Sequence, residues 1–385
     1  MHIALLTYAT KPRGSVIHTL ELAAALTTLG HHVCIFALDK DGLGFEQPPH
    51  CAVQLVPAAP APAGIDALIQ QRIQEFVDFL VPIPEQFNIY HAQDCIGANA
   101  LLMLRQRGNI PHFVRTVHHV EAYASPYLQH CQEQSIREPD RCLCVSDRWQ
   151  AVLKIDYGIT APKVTNGVNL DRFSAVPAGT EGLLKQRYGL MGSPTYLTVG
   201  GIEPRKNSIH LLEAFAQVLE THAAAQLVIA GGATLFDYQP YREEFFAAAK
   251  TLGIAVGRSL LLPGVIPATD LPGLYRCADV FCFPSLQEGW GLVVLEAIAS
   301  GLPVIVSDQA PFTEFLDRDQ ALWVDPAQPA TIVTAMVQAI TPDCTGMIQR
   351  SQSILSRYSW RASAQLHEAE YRQLMGAAFK SFSSC

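Results

Sequence analysis

The stretch FPSLQEGWGLVVLEAIASG, from Phe283 to Gly301, decides the fold of this 385-residue chain. It continues the apolar run VFCF, which predicts the end of a buried strand, and it breaks at a proline before a turn that contains two glycines. The residues after the turn are small and apolar, as in a helix that packs closely on a sheet. The stretch therefore predicts a strand, a tight turn and a helix in direct succession.

Two carboxylates lie in this stretch. Glu288 falls in the turn and Glu296 lies about one turn into the helix, with seven residues between them. Because Leu292 and Glu296 are four residues apart, the Glu296 side chain projects back along the helix face that begins at the turn. Both acids can therefore reach one ligand. For an arbitrary pair of acids, a solvated side chain and a helix cap would be the usual explanation.

The chemistry of the turn favours a ligand. The N–H groups at the start of a helix suit an anion, and a carboxylate accepts hydrogen bonds from the paired hydroxyls of a sugar. A phosphate together with sugar hydroxyls describes a nucleotide-sugar. The residues that surround the two acids decide between this interpretation and the solvated pair.

Four further segments accompany the stretch. They are NGVNLDRF at Asn166–Phe173, VGGIEPRKN at Val199–Asn207, LPGLYRCADVFCFPS directly before the turn, and SW at the start of the last predicted helix. Together with PSLQEGWGLVVLEAIASGLPVI, they make the chain resemble the retaining glycosyltransferases of family 4, of the group 1 type, over nearly its whole length. The resemblance implies the GT-B fold of the α/β class, with a cleft between two doubly wound, Rossmann-like domains.

Size and composition agree with two α/β domains. A chain of 385 residues is longer than one hydrophobic core usually supports. Hydrophobic residues make up 49% of the chain and charged residues 16%, as expected for buried parallel sheets. The net charge is −8 and the sequence lacks a cluster of lysine and arginine, so we expect no nucleic-acid partner.

The cysteines and the hydropathy bear on location. The ten cysteines are scattered without paired CxxC elements, which is typical of a reduced, cytoplasmic chain. The sequence MHIALLTYAT indicates a first strand rather than a signal peptide, and no apolar run approaches the ~20 residues of a membrane span. Peripheral contact with a membrane stays open, and the sequence does not specify an oligomeric state.

Strands and helices alternate in both halves of the chain, which predicts two doubly wound sheets. The predicted strands are His2–Tyr8, His32–Leu38, Val53–Val56, Asn88–His91, Phe113–Val117, Arg141–Val145, Thr195–Val199, Gln226–Ile229, Leu260–Leu262, Val280–Phe283, Leu302–Val306 and Ala321–Val324. The predicted helices are Val16–Leu29, Ile65–Leu80, Ile96–Arg107, Arg148–Lys154, Ser208–Glu220, Tyr241–Leu252, Leu271–Cys277 and Tyr358–Met375.

The segment AVPAGTEG, from Ala175 to Gly182, has the composition of a linker. We therefore expect an N-terminal, acceptor-binding domain over residues 1–176 and a C-terminal, nucleotide-sugar-binding domain over residues 183–357. The resemblance implies that the helix in residues 358–385 packs back on the first domain.

Polar residues follow the predicted strands of the first domain. Asp94 comes after Asn88–His91, and His118 and Glu121 come after the next strand. Because ligands bind beyond the carboxyl ends of parallel strands, we expect these side chains on the acceptor side. Asn166, at the edge of the domain, is assigned to the same side. A structural role for His118 is an equally weighted alternative to a catalytic one.

Gly14 precedes the first helix, so the loop before it predicts an anion site. Family 4 usually has two adjacent glycines here, whereas this chain has Gly14 followed by Ser15.

Arg205 and Lys206 follow the first strand of the second domain. Glycosyl transfer needs positive charge where the departing diphosphate gains negative charge, and the planar fork of arginine complements the compact charge of lysine. Adjacent basic residues in a loop are usually solvated. In a chain poor in basic residues, however, their position favours a catalytic role.

The resemblance assigns further roles. It implies that Glu296 holds the ribose hydroxyls, that Glu288 and the backbone of the turn hold the donor sugar, and that His118 contacts this sugar near its reacting end. It also implies retention of configuration by front-face attack, in which a phosphate oxygen of the leaving group takes the acceptor's proton, without a metal or other cofactor. The catalytic residues would be Arg205, Lys206, Glu288 and His118. The donor-binding residues would be Gly14, Arg205, Lys206, Glu288, Gly289, Trp290, Gly291, Leu292 and Glu296.

Other activities are weighed against this assignment. Neither half shows GxGxxG between a strand and a helix, which argues against a nicotinamide-dependent oxidoreductase. Asp39-Lys-Asp41 and Asp317-Arg-Asp319 resemble the metal-binding DxD motif of another fold, but we interpret both as solvated turns. A sugar phosphorylase, a nucleotide-sugar epimerase or a non-catalytic sensor remain alternatives. The donor is left as a UDP-, GDP- or ADP-sugar and the acceptor as an unidentified hydroxyl compound, because their pockets lie in loops such as Asp39–Pro49 and Ala122–Asp140.

Overall fold

The computed structural model describes the backbone of residues 1–83, 87–232 and 238–382, and the side chains as far as residue 376 in the last helix. These residues form two compact units. Unit 1 contains Met1–Gly167 and the segment from Tyr358 onward, and unit 2 contains Val168–Arg357. Each unit is built on a six-stranded sheet whose strands are all parallel.

The twelve strands of the described chain are short. They are β1 (His2–Thr7), β2 (His32–Asp39), β3 (Ala52–Pro57), β4 (Ile89–Ala92), β5 (Val114–Val117), β6 (Arg141–Cys144), β7 (Thr195–Val199), β8 (Gln226–Ala230), β9 (Leu260–Gly264), β10 (Val280–Phe283), β11 (Val304–Ser307) and β12 (Leu322–Val324).

The helices follow the strands along the chain. They are α1 (Gly14–Thr28), α2 (Ile65–Leu80), α3 (Cys95–Gln106), α4 (Pro126–Arg137), α5 (Asp147–Tyr157), α6 (Glu181–Tyr188), α7 (Ser208–Thr221), α8 (Gln239–Thr251), α9 (Leu271–Cys277), α10 (Leu292–Ala299), α11 (Phe312–Phe315), α12 (Pro329–Ala339), α13 (Cys344–Gln352) and α14 (Trp360–Phe382).

The sheet of unit 1 has the strand order β3-β2-β1-β4-β5-β6. Alternate residues of β1 enter different hydrophobic clusters: Ala4 and Leu6 pack with α2 and α3, whereas Ile3 and Leu5 pack with α1 and α14. Both faces of the sheet are therefore buried, as a parallel sheet requires. The strand order reverses between β1 and β4, so their following loops meet at the topological switch point where doubly wound proteins bind ligands.

Helix α14 is part of unit 1. Its side chains Ala364 and Tyr371 are fully buried in the cluster that contains Ile3 and Leu22. In addition, Arg141 of β6 donates a hydrogen bond of 2.6 Å to Glu370. The last helix thus completes one face of a sheet whose strands lie near the start of the chain.

The boundary between the units lies earlier than the linker composition predicts. Unit 1 ends at Gly167, and residues 168–176 belong to unit 2 because Phe173 packs edge-on against Tyr275, with ring centroids 5.7 Å apart. The residues after 180 are also not a linker, since they form α6. The glutamate at its start, Glu181, accepts a hydrogen bond of 2.6 Å from Arg276 of α9.

The sheet of unit 2 has the order β12-β11-β10-β7-β8-β9. Its strand order reverses between β10 and β7, which are direct neighbours. The loops that carry the predicted donor-binding residues follow these two strands. The topology therefore places both loops at the switch point of the second sheet.

Four helices of six or more residues have no counterpart among the predicted elements: α4, α6, α12 and α13. The segment Ala122–Asp140, which the sequence suggests as a variable loop, contains α4. This helix begins with Pro126 in its first turn, and the Ser125 hydroxyl caps it by accepting a hydrogen bond of 3.3 Å from the Leu128 N–H. Because most side chains of α4 are polar, the hydrophobic pattern of the sequence does not reveal this helix.

The nine cysteines among the described residues are all free thiols. Within the same residues, no helix is both long enough and apolar enough to cross a bilayer.

Gly167 allows the closest backbone approach in unit 1. A Cβ on Gly167 would lie 2.3 Å from the Trp360 nitrogen and 2.4 Å from the Ser359 carbonyl carbon, and backbone atoms cannot yield as a side chain does. We expect Gly167→Ala to destabilise unit 1 by about 1–3 kcal/mol or more, because it forces the start of α14 away. Thermal unfolding measures this loss.

The matched control is Gly376→Ala, which lies in α14 itself. A Cβ on Gly376 meets nothing within 4 Å, so this variant should be as stable as the parent or more stable. Equal melting temperatures for Gly167→Ala and the parent would contradict the close approach.

Candidate active site

Glycines shape the first loop of unit 2. Gly200 and Gly201 follow β7 with φ of 145° and 83°, values that side chains rarely adopt. A Cβ on Gly201 would lie 2.7 Å from the Gly232 carbonyl oxygen, and one on Gly231 would lie 2.5 Å from the Gly201 nitrogen. The loops after β7 and β8 therefore pack backbone against backbone, which leaves no room for side chains at Gly201 and Gly231.

Asn207 ties the two loops of the switch point together. It lies in the left-handed region at φ 60°, between a 3-10 turn at Pro204–Lys206 and α7. Its side-chain amide donates hydrogen bonds to the carbonyl oxygens of Pro284, at 3.1 Å, and Pro326, at 2.6 Å. The N–H of Leu286 also donates to the Arg205 carbonyl oxygen at 2.8 Å. The basic doublet is therefore held against the turn that contains Glu288.

The two cations and Glu288 form one cluster. The Oε1 atom of Glu288 accepts hydrogen bonds from Lys206 Nζ at 2.7 Å, Arg205 Nη1 at 3.2 Å and the Ser285 hydroxyl at 2.9 Å. The Glu288 side chain is 9% exposed and that of Lys206 is 11% exposed, whereas Arg205 is 41% exposed. Arg205 also pairs with the buried Glu203 at 3.0 Å. The lysine is fixed and the arginine keeps a surface that solvent or a ligand can reach.

Burial and charge act in opposite directions in this cluster. Burial of Glu288 opposes its charge, but Lys206 and Arg205 outweigh that effect and hold the pKa of the carboxyl below its ordinary value. Burial lowers the pKa of Lys206, although Glu288 opposes this change. The Lys206 ammonium also lies 4.3 Å from the centre of the Phe283 ring, a cation–π contact. Glu288 is thus an anion whose main role in this arrangement is to orient two cations.

The helix after the turn is α10, as the sequence predicts. Gly291 precedes it at φ 108°, and a Cβ there would lie 2.8 Å from Phe312 Cε1. Because its N-cap residue is Gly291, α10 has no side chain at the N-cap position. On the helix, Glu296 Oε2 accepts a hydrogen bond of 2.8 Å from the hydroxyl of the buried Tyr275. This bond orients the carboxyl group, and the first turn of the helix presents its N–H groups to an anion.

The remaining residues of the turn differ in their surroundings. The indole of Trp290 is 4% exposed and stacks on Phe315 with ring centroids 5.1 Å apart. Its side chain is therefore part of the core, so a donor-binding role for Trp290 could involve only its backbone. Gly289 and Leu292 are both half-buried.

His118 follows β5 in unit 1 and is half-buried. Its Nε2 atom lies 3.1 Å from Gln93 Oε1, and its ring packs edge-on against His18 with centroids 4.7 Å apart. Burial, followed by the neighbouring His18 and Arg115, lowers the pKa of His118 well below its ordinary value. His118 is therefore a neutral imidazole at physiological pH, suited to exchange hydrogen bonds with a hydroxyl.

The other residues assigned to the acceptor side have structural partners. Asp94 caps α3 by accepting a hydrogen bond of 2.8 Å from the Gly97 N–H. Asn166 is buried, and its Oδ1 atom lies 2.8 Å from His18 Nδ1. Both residues therefore support the fold around His118.

Glu121 and Gly14 also have defined surroundings. Glu121 pairs with His119 at 3.0 Å rather than with His118. Gly14 is the first residue of α1, and a Cβ there would meet nothing within 4 Å. Space alone does not require a glycine at that position.

The interpretation of the first DxD-like motif is wrong in one respect. Asp39 is buried and accepts a hydrogen bond of 3.2 Å from the Gly44 N–H, so it is not solvated. Asp41 pairs with Lys11 at 2.8 Å, and Asp319 of the second motif pairs with Arg350 at 2.7 Å on the surface. Throughout residues 1–83, 87–232 and 238–382, no three histidine, cysteine or acidic side chains are grouped so that they could hold a metal ion.

The structure adds residues that sequence reasoning missed. Ser285 and Glu203 contact the charged cluster, and Tyr275 orients Glu296. Ser285 lies within the quoted turn and Glu203 within VGGIEPRKN, so their positions were a usable signal. Tyr275 also lies within a quoted segment, LPGLYRCADVFCFPS, and Gln93 directly precedes Asp94 after a predicted strand, but only the fold shows that they contact Glu296 and His118.

Comparisons with known proteins agree with this architecture. A family model described as "Glycosyltransferase Family 4" matches residues 12–172, and one described as "Glycosyl transferases group 1" matches residues 183–351. The O-antigen chain mannosyltransferase B of Escherichia coli is 26% identical over 262 residues, which are 64% of this chain and 66% of that protein.

Two solved structures are similar over their whole length. Sucrose-phosphate synthase from Thermosynechococcus elongatus has a TM-score of 0.79 at 22% identity, covering 98% of this chain and 99% of that one. HepE from Anabaena, in complex with UDP and glucose, has a TM-score of 0.74 at 16% identity and covers 96% and 99%. At these identities the likeness concerns the fold.

Proposed function

Because the chain belongs to the family 4, group 1 glycosyltransferases and has the GT-B fold, we propose that it is a retaining hexosyltransferase that uses a nucleotide-sugar donor. The acceptor in this proposal is a hydroxyl compound. No metal ion or other cofactor takes part. A cytoplasmic location belongs to the same proposal and fits a chain whose nine described cysteines are free thiols.

The cluster of Arg205, Lys206 and Glu288 is the observation that carries the proposal. Two cations converge on one carboxylate oxygen, beside a helix whose N-cap residue is a glycine, at the switch point of a parallel sheet. Such an arrangement suits a diphosphate, which needs both fixed positive charge and N–H donors. The UDP-bound HepE structure, which has the same fold, supports a nucleotide-sugar as the donor.

The proposed reaction assigns a task to each group. Negative charge grows on the diphosphate as its bond to the anomeric carbon breaks, and Lys206 and Arg205 stabilise that charge. Glu288 orients the two cations and contacts the donor sugar. Glu296, held by Tyr275, accepts hydrogen bonds from the ribose hydroxyls. The acceptor hydroxyl attacks the face from which the diphosphate departs, and a phosphate oxygen takes its proton, so that configuration is retained.

Alternative activities on the same scaffold make different products. A phosphorylase would release a sugar phosphate from a disaccharide and inorganic phosphate. An epimerase would convert the donor alone. A non-catalytic sensor would bind the donor tightly and release no nucleotide with any acceptor.

A donor screen tests the proposal. The protein is heated with UDP-, GDP- and ADP-glucose and with GDP-mannose in buffer that contains EDTA, and we expect one nucleotide series to raise the melting temperature. A ligand present at 100 times its Kd should stabilise the folded state by about 2.7 kcal/mol. The stabilising donor is then incubated with a panel of sugar, polyol and lipid acceptors, and nucleoside diphosphate release and the anomeric configuration of the product are measured.

Two outcomes would overturn parts of the proposal. Transfer that stops in EDTA and returns with Mg²⁺ or Mn²⁺ would refute metal independence. Tight donor binding without release of nucleotide across the whole panel would favour the sensor.

A further inference from the structure

Three side chains connect helix α14 to His118 inside unit 1. The hydroxyl of Tyr371 on α14 lies 2.7 Å from His91 Nδ1, and the amide nitrogen of Gln93 lies 3.3 Å from each ring nitrogen of His91. The amide oxygen of Gln93 lies 3.1 Å from His118 Nε2. Tyr371, His91 and Gln93 are all buried.

The contact with Gln93 determines which nitrogen of His118 carries the proton. An amide oxygen only accepts hydrogen bonds, so with the Gln93 amide in this orientation Nε2 of His118 is the protonated nitrogen. In a neutral ring the other nitrogen, Nδ1, then has a lone pair. Within the described residues, Nδ1 of His118 has no hydrogen-bond partner. It can therefore accept a hydrogen bond from a substrate hydroxyl.

His91 holds the Gln93 amide in this orientation. Its two ring nitrogens are occupied by hydroxyl groups, with Tyr371 at Nδ1 and Thr116 Oγ1 at Nε2, at 2.7 and 2.8 Å. The His91 ring is fully buried, and burial lowers its pKa well below the ordinary value, so it stays neutral. The amide nitrogen of Gln93 packs beside this fixed ring, and its oxygen consequently points to His118.

We propose that Gln93 is a positioning residue that holds His118 as the Nε2–H tautomer and leaves the Nδ1 lone pair available to a substrate hydroxyl. Tyr371 anchors Gln93 through His91. This role of His118 rests on the proposed transferase function, whereas the tautomer does not.

The groups around His118 make the tautomer sensitive to a new charge. His18 of α1, His91 of β4, Arg115 of β5 and the adjacent His119 all oppose a positive charge on His118. His367 of α14 lies behind His18, with ring centroids 5.5 Å apart. A carboxylate in place of the Gln93 amide would change this balance and favour protonation of His118.

The first test reads the tautomer directly. Long-range ¹H–¹⁵N spectra of the full chain distinguish protonated from unprotonated ring nitrogens, and comparison with His118→Ala assigns the signals. We expect a single Nε2–H form of His118 in the parent protein and a mixture of tautomers in Gln93→Leu. A proton on Nδ1 in the parent, or an unchanged single tautomer in Gln93→Leu, would overturn the proposal.

The second test uses Gln93→Glu and activity. An opposite charge within hydrogen-bond distance should raise the pKa of His118 by about 1–3 units. Because protonation removes the Nδ1 lone pair, the acid limb of kcat should move upward in pH by about that amount. Gln106→Glu, at an exposed position of α3, is the matched control and should keep the parental profile. An unmoved acid limb in Gln93→Glu would also count against the proposal.

The third variant, Tyr371→Phe, keeps the ring and removes the hydroxyl that contacts His91. We expect partial mixing of the His118 tautomers and a kcat lowered by a few fold, with KM for the donor nearly unchanged. If Tyr371→Phe keeps both the tautomer and the kcat of the parent, the proposed anchoring of Gln93 by Tyr371 is wrong. If no donor is transferred by the parent while the Nε2–H form is observed, the proposed function fails and the positioning of His118 by Gln93 stands.

Discussion

Replacement of Lys206 by alanine is expected to lower kcat/KM for sugar transfer by about 10²–10³-fold, the cost of losing one well-placed group that stabilises transition-state charge. Lys206 is nearly buried and fixed by Glu288 at 2.7 Å, so its ammonium needs little reorganisation when the diphosphate gains charge. A retained Arg205 cannot replace it, because the guanidinium is half-exposed and also pairs with Glu203. Steady-state kinetics with the identified donor measure the loss.

Control variants separate catalysis from folding. Removing Lys206 leaves the buried Glu288 carboxylate with one cation fewer, which destabilises the loop. Lys206→Met combined with Glu288→Gln removes both charges, and it should unfold near the parental temperature yet remain inactive. Arg318→Ala removes an exposed ion pair of the same unit and should be neutral in both assays. Parental activity in Lys206→Ala would contradict the assigned role.

Acidification is expected to destabilise unit 1 strongly, because His18, His91, His118 and His367 form a packed cluster of four histidines. Burial lowers the pKa of His18 to about 3 and that of His367 to about 4, and it lowers the pKa values of His91 and His118 well below 6.5. Within the described residues, the Nε2 atoms of His18 and His367 are buried and have no hydrogen-bond partner. A proton on either atom would have no acceptor.

The direction of the effect follows from linkage. The pKa values of these histidines in the folded chain lie below the unfolded value near 6.5, so below pH 6.5 the unfolded chain binds more protons than the folded chain. The stability that the neutral histidines contribute is therefore fully present only above pH 6.5. As the pH falls from 6.5 toward the folded pKa values, each histidine that stays neutral in the folded chain lowers the free energy of unfolding by about 1.4 kcal/mol per pH unit. Four such groups would cost about 5–6 kcal/mol per unit as an upper limit, which is comparable to the whole stability of a domain.

Urea unfolding of unit 1 between pH 7 and pH 5 measures this dependence. His367→Gln removes one titrating group while keeping a donor near the Ser363 carbonyl. The slope of its free energy of unfolding against pH should therefore correspond to about one proton fewer than the slope of the parent. His130→Gln, on the exposed face of α4, is the control and should follow the parent. Equal slopes for all three proteins would show that the buried histidines do not control acid stability.

The regular elements were largely predictable because hydrophobic pattern and length specify them. Ile65–Leu80, Thr195–Val199 and Leu271–Cys277 have the bounds that the sequence predicts. Two segments were misinterpreted. The proline and glycine content before α6 suggested a linker, although Glu181 and its neighbours pack on α9, and the polar surface of α4 hid a helix inside a predicted loop.

The donor cluster was more accessible to sequence reasoning than the surroundings of His118. Arg205, Lys206 and Glu288 lie in loops that follow two strands, and parallel topology brings such loops together. By contrast, His367 and Tyr371 are far from His18 and His91 in sequence, and only the packing of α14 brings them into contact. The spacing of four residues between His367 and Tyr371 placed them on one helix face, but it did not identify the partner of that face.

The membership of α14 in unit 1 has a consequence for biosynthesis. A ribosome would deliver the first six strands early, yet the helix that covers one side of them emerges only after all of unit 2 has been translated. We therefore expect Val168–Arg357 to reach its native state first, while the earlier segment stays incompletely folded with His91 lacking its tyrosine neighbour. A chain truncated after Arg357 would show this dependence as protease resistance confined to Val168–Arg357.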